Sequence, residues 1–250
     1  MLAQMPRSNV LVRVAFVSTF ALAVLGCSGA APATPIPATP TPAPTPTPSV
    51  DLSAKYANAM IAAFAVEPLV VHVVQSVKAT ASYDADTKKI DSTMTLDLSD
   101  RDLSMHLETT AEKKTTKIDM VVVGTSVYAR VGAAHWQQGS RSNYEQSIAD
   151  IARALQPIRN PAILGYVGVE TVDKQKLVHL TAAKTFAYIS ADGQRGTYDS
   201  FDIWVKDDGT PVLAKGKISV VGAYGIEIKG ISELRFSKFG GPIDIAAPKT

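Results

Sequence analysis

Most of this chain alternates apolar and polar residues with a period of two, and that alternation limits its fold more than any other feature. Ile90, Met94, Leu96 and Leu98 point one way, while Asp91, Thr93, Thr95 and Asp97 point the other. Leu103, Met105 and Leu107 alternate with Ser104, His106 and Glu108, and Ile118, Met120 and Val122 continue the pattern. Val127, Ala129 and Val131 follow, with Tyr128 and Arg130 between them. Later come Phe201, Ile203 and Val205, then Val212, Ala214, Ile218 and Val220, then Ile226, Ile228, Leu234 and Phe236. Such a period puts each set of side chains on its own face of a β-strand. Short turn signals separate the runs: Asp84-Ala85-Asp86, Asp100-Arg101-Asp102, Gly124-Thr125, Asp207-Asp208-Gly209, and Gly222 to Gly225. Links this short join antiparallel neighbours, since parallel strands need a crossover of about a dozen residues or more. The expected fold is α+β, built on a curved antiparallel β-sheet of about ten strands. Accumulated twist curls so large a sheet into a half-barrel with one wet face and one apolar face.

Two amphipathic helices are expected to cover the concave face. Leu52, Tyr56, Met60, Ala63 and Phe64 fall on one helical face, and Pro68 stops that run. Ser142-Asn143-Tyr144-Glu145 has capping-box spacing, with Tyr144, Ile148, Ile151, Ala152 and Leu155 as the apolar stripe and Pro157 after it. Residues 51–250 then form one domain.

Residues 1–50 have a different character. Arg7 and Arg13 precede an uncharged stretch from Val14 to Leu25. That stretch is too short to span a hydrocarbon core of about 30 Å, so residues 1–26 read as a signal peptide. It ends in Val24-Leu25-Gly26-Cys27, and Cys27 is the only cysteine, which excludes internal disulfides and cysteine-based zinc sites. The segment resembles the lipobox of bacterial lipoproteins, although Leu25 occupies a position where a small residue is more common. The resemblance implies lipidation of Cys27, which becomes the new N-terminus, and two acyl chains suffice for stable anchoring. The alternative is an ordinary signal peptide with an incidental cysteine. Residues 27–50 continue as a Pro/Thr-rich tether: of 15 prolines in the chain, eight lie between Pro32 and Pro48. Proline lacks an amide donor and fixes φ, so the tether favours extended polyproline II and reaches about 70 Å. The expected location is extracytoplasmic, on the outer face of the bacterial cell membrane, with membrane lipid engaged through the acylated Cys27.

Charge excludes one class of partner. The formal net charge is +2, and removing Arg7 and Arg13 with the signal peptide leaves basic and acidic residues balanced. A neutral chain with 7% aromatic residues has no electrostatic footprint for nucleic acid.

No constellation for catalysis emerges, and the reading is that the protein is not an enzyme and needs no cofactor or metal. His72, His106, His135 and His179 are 34, 29 and 44 residues apart, which matches no close metal-ligand pair. His106 falls on the polar parity of its strand, in water. Gly124-Thr125-Ser126-Val127-Tyr128 lacks the second glycine of a nucleophile elbow. Asp84 to Asp91 begins like a calcium loop, but Lys89 and Thr95 stand where its glycine and its terminal acid belong, so the segment reads as a hairpin turn. Glycines 222, 225 and 230 fall along a strand and open no helix, so they form no phosphate loop.

Several segments together resemble a known family. Val121-Val122-Val123-Gly124-Thr125-Ser126-Val127-Tyr128-Ala129-Arg130, followed by Trp136, resembles a hairpin of LolA-like lipoproteins. So does Phe201-Asp202-Ile203-Trp204-Val205-Lys206-Asp207-Asp208-Gly209-Thr210-Pro211. Tyr166-Val167-Gly168-Val169-Glu170-Thr171-Val172-Asp173 is similar to the segment after the helix, departing at Lys174, where glycine is usual. With the lipobox, the chain resembles the LppX/LprG-type branch over most of Leu52 to Ala247. The resemblance implies an antiparallel half-barrel around helices, often with an apolar cavity for lipids or lipidated molecules, and an envelope transport partner.

Apolar surface is what remains for function. Met94, Met105 and Met120 fall on the inward parity of consecutive strands, and methionine suits cavities that accept varied apolar ligands. The candidate lining is Met94, Leu96, Leu98, Met105, Leu107, Met120 and Val122, which equally suits a solid core. Trp204 falls on the polar parity of its strand, at the outer face. Two functions follow: a surface-anchored binder or carrier of lipid, glycolipid or lipoglycan, or a non-catalytic structural lipoprotein with a filled core that presents its surface to an envelope protein.

Overall fold

The computed structural model describes residues 51–83, 86–100, 102–145, 160–189, 195–221 and 226–249. Its strands are β1 (Val70–Tyr83), β2 (Asp86–Ser99), β3 (Asp102–Ala111), β4 (Lys114–Val123), β5 (Ser126–Val131), β6 (Gln137–Ser140), β7 (Leu164–Val172), β8 (Gln175–Ala182), β9 (Phe186–Ile189), β10 (Arg195–Val205), β11 (Pro211–Val221) and β12 (Glu227–Ser237). One helix, α1 (Leu52–Phe64), precedes them. The sheet has 12 strands rather than about ten, in the order β6-β5-β4-β3-β2-β1-β12-β11-β10-β8-β7, with β9 paired to β10. Every pairing is antiparallel. The path does not close, because β6 and β7 form its two ends without pairing to each other.

The additional strands escape a periodicity argument for identifiable reasons. In β1, Val70, Val71, Val73 and Val74 are apolar on both parities, which hides the alternation. Strand β6 is Gln-Gln-Gly-Ser and has no apolar side to announce. Two hairpins turn without glycine: Glu112 and Lys113 have φ of 49° and 69°, and Asp173 and Lys174 have 48° and 67°. Positive φ at both central residues is what a two-residue hairpin of the right twist requires. Lys174, the departure from the family pattern, therefore turns in the conformation a glycine would adopt, at a cost of about 1 kcal/mol.

Helix α1 is capped by Asp51, whose carboxylate accepts the Ala54 N–H at 3.2 Å. It buries Ala57, Met60 and Phe64. Phe64 meets Phe236 and Phe239 edge-on, with ring centroids 5.7 and 5.5 Å apart. At the other end Tyr56 stacks on Tyr166 at 6.0 Å, and Ser53 Oγ accepts the Tyr166 N–H at 2.9 Å. The β10–β11 turn comes so close that a Cβ on Gly209 would sit 2.4 Å from the Ala59 carbonyl carbon. That contact and a φ of +86° make glycine necessary there.

The capping box expected at Ser142 does not form. Arg141–Asn143 is a 3-10 turn in which the Tyr144 N–H donates to Arg141 O at 2.8 Å. Ser142 Oγ lies 2.9 Å from Ser140 Oγ, so its hydroxyl is engaged behind it and not with the third residue ahead. Ile148, Ile151, Ala152, Leu155 and Pro157 of the expected second helix lie outside the described residues, as do residues 1–50 with Cys27. Glu145, the last described residue before Ile148, is helical, and α1 is the α-helix whose full extent lies among the described residues.

Candidate functional site

Strand register decides which side chains meet. On β2–β5, Leu98 stands opposite Leu103, which faces Val122, which faces Val127. Two residues along, the row is Leu96, Met105, Met120 and Ala129. The next is Met94, Leu107, Ile118 and Val131. All of the expected lining residues therefore share one face. Leu96 and Val122 are 0% exposed, and Leu98, Met105, Leu107 and Met120 are also buried. Met94 is half-buried against Leu107 and Ile118. Val131, expected inward, is 50% exposed near the open β6 end of the sheet. No inward-facing residue of β2–β6 is aromatic.

A polar band crosses this face next to Met94. Gln75 on β1 stands opposite both Met94 and Leu234, and Ser232 on β12 stands opposite Val77. Gln75 Nε2 donates to Ser232 Oγ at 3.1 Å, and Ser92 Oγ lies 3.0 Å from Thr109 Oγ1. Gln75, Thr109 and Ser232 are the buried polar side chains among the described residues. In the sequence these residues are mere interruptions of an apolar parity. Their only signal is that Ser92 and Ser232 share parity with Met94 and Leu234.

The opposite face is polar, and its histidines pair with carboxylates. His72 Nδ1 lies 2.7 Å from Asp97 Oδ1. His106, expected in water, does face solvent, but its Nδ1 meets Asp119, whose other oxygen accepts Arg130 Nε–H at 2.7 Å. Arg130 covers the Trp136 ring at 4.5 Å. Burial raises the Asp119 pKa, and the hydrogen bonds from His106 and Arg130 outweigh it, so the net shift is downward. Trp204 lies on the outer face as its parity predicts. Its Nε1–H donates to Glu170 Oε2 at 2.9 Å, and its ring stacks on His179 at 4.5 Å. His179 Nδ1 is 2.9 Å from Glu170 Oε1 and Nε2 is 3.0 Å from Asp202 Oδ1. The Trp204 bond first, then His179, holds the Glu170 carboxyl below the usual carboxylate range. Both His179 nitrogens face carboxylates, so the ring offers neither to a substrate. Among the described residues, no three His, Cys, Asp or Glu side chains are grouped to hold a metal.

No known protein family matches the chain, and no curated protein does. Solved structures match weakly. A DUF1329 family protein from Desulfovibrio piger is 11% identical with a TM-score of 0.28, the match covering 76% of this chain and 92% of that one. A beta-barrel-like DUF1849 domain protein from Brucella abortus is 7% identical with a TM-score of 0.24, covering 67% and 98%. A domain named for outer membrane lipoprotein sorting, from Vibrio parahaemolyticus, is 8% identical with a TM-score of 0.23, covering 66% and 83%. Scores this low do not establish a shared fold.

Proposed function

We propose that this protein is a membrane-anchored, extracytoplasmic, non-catalytic lipoprotein that binds or carries a hydrophobic ligand: a lipid, glycolipid or lipoglycan. One observation carries the reading. The inward face of β2–β5 is a continuous sheet surface of Met, Leu, Ile and Val without an aromatic side chain. Unbranched methionine adapts to acyl chains of different shape. The lipobox at Cys27, the tether, and the motif resemblance to LolA-like lipoproteins of the LppX/LprG type support an envelope carrier.

The test is native mass spectrometry and lipid extraction of protein purified from a bacterial envelope. Co-purifying lipid in stoichiometric amount is the expected result, and protein that is lipid-free in every preparation overturns it. In the same preparations Cys27→Ala should release the protein from the membrane and remove the mass of its acyl chains. A second reading, a filled-core lipoprotein presenting its outer face to an envelope protein, draws on the complete burial of Leu96 and Val122.

A further inference from the structure

We infer that the band formed by Gln75, Ser92, Thr109 and Ser232 is a hydrogen-bonding site for the uncharged oxygens of an amphiphile, such as the ester carbonyls of an acylglycerol. This deepens the lipid-binding reading and rests on it. An aliphatic face gains nothing from buried hydroxyls, since a polar group removed from water costs free energy unless its bonds are replaced. These groups are only partly replaced. Ser232 is 1% exposed and its oxygen accepts from Gln75, but its own O–H has no acceptor among the described residues. Ser92 and Thr109 bond each other, which uses one of their two hydroxyl hydrogens and leaves the second without an acceptor among the described residues. Two donors on the inner face thus call for acceptor oxygens from elsewhere.

Placement supports the assignment. Ser92 precedes Met94 by two residues on β2, about 7 Å along the strand, and Thr109 follows Leu107 by two on the antiparallel β3. Acyl chains lying along Met94, Leu107 and Ile118, an apolar cluster apart from the main core, would therefore bring their ester oxygens to the band. Charge narrows the class further. Every buried polar side chain among the described residues is neutral, so no buried group there offsets the desolvation of a carboxylate or phosphate. The site suits neutral amphiphiles over anionic ones.

The experiment titrates the full chain with three fluorescent probes of matched chain length: a diacylglycerol, an alkane without oxygen, and a fatty acid. It is repeated on Thr109→Val, which keeps the shape, and on Ser232→Ala, with thermal unfolding recorded for each. Wild-type protein should prefer the diacylglycerol. Each variant should lose about fivefold to tenfold in diacylglycerol affinity while alkane binding stays constant. Equal loss for diacylglycerol and alkane, or unchanged diacylglycerol binding in both variants, overturns the inference but leaves the carrier reading intact. Unchanged binding is the result expected if the hydroxyls hold only buried water. A fatty acid bound more tightly than the diacylglycerol also overturns the inference. Failure of the wild type to bind any probe removes the carrier reading and the inference with it. Thr109→Val keeps the test decisive should Ser232→Ala unfold, since it leaves the Gln75 amide its acceptor.

Discussion

The two wings of the sheet bury their inner faces with different materials. On β7–β12 an aromatic cluster is set among the aliphatic residues of the interior: Phe201 meets Tyr198 at 5.2 Å and Phe186 at 5.8 Å, both edge-on, and Phe186 stacks on Tyr198 at 5.1 Å. Helix α1 closes the end of that wing through Phe64, Phe236 and Phe239. Even glycine is used for fit, since a Cβ on Gly216 would lie 2.6 Å from the Tyr198 ring. Burial pushes the Tyr198 hydroxyl pKa upward, in keeping with a closely packed site. On β2–β5 the interior is aliphatic and rich in methionine, with hydroxyls at its margin. Rigid rings that fill defined holes suit a structural core, while flexible thioethers suit a surface whose neighbour changes. The two wings share one core, and the carrier reading proposed above expects stability to depend more on the aromatic wing and ligand on the aliphatic one.

The largest test of that division is Phe201→Ala. Phe201 is 1% exposed, and its loss should cost about 3–5 kcal/mol, read as a fall in the denaturation midpoint. A cost under about 1 kcal/mol would mean that the aromatic wing is not the stable one.

Val122→Trp probes the other wing next. A close-packed core would lose about 1–3 kcal/mol or more through overpacking. The carrier reading expects the thermal midpoint of ligand-free protein to hold while a fluorescent fatty-acid or glycolipid probe no longer binds. A collapsed midpoint, in a protein whose wild type never bound the probe, favours the filled core.

A gentler change sharpens the same point. Met105→Leu conserves volume and should cost less than about 1.5 kcal/mol. On an adaptable surface it should also narrow the range of acyl-chain lengths bound, which a series of probes would measure. An unchanged range would deny methionine its proposed role. Met120 faces Met105 directly, so the double variant should depart from additivity.

The smallest effect concerns the outer face of the aliphatic wing. Asp119 has a folded pKa below its ordinary value, so its contribution is present above the unfolded value of about 3.9. That contribution is lost as pH falls through the lower folded value. Wild type should therefore exceed Asp119→Asn in thermal stability at neutral pH, by about 1 kcal/mol or less for a partly exposed group. The difference should fade below about pH 4, and a gap that persists in acid would assign the effect to packing instead of charge.

Sequence alone determined the parts governed by local rules. Alternation at Leu103, Met105 and Leu107 placed those residues on the inner face because a strand has no other way to present a two-residue period. Asp51 to Phe64 read as a helix for the same kind of reason, since its apolar spacing and the following Pro68 act within a few residues. The candidate lining was legible as a face, but not as a pocket or a core, because both need the same side chains. Tertiary structure decided what depends on distant partners. Gln75 and Ser232 are 157 residues apart and meet only because β12 pairs with β1. Glu170, His179 and Trp204 become one cluster only because β10 pairs with β8 beside β7. Period two assigns each residue a face, whereas the order of strands is set by which distant edges bury most together, and that free energy belongs to no single segment.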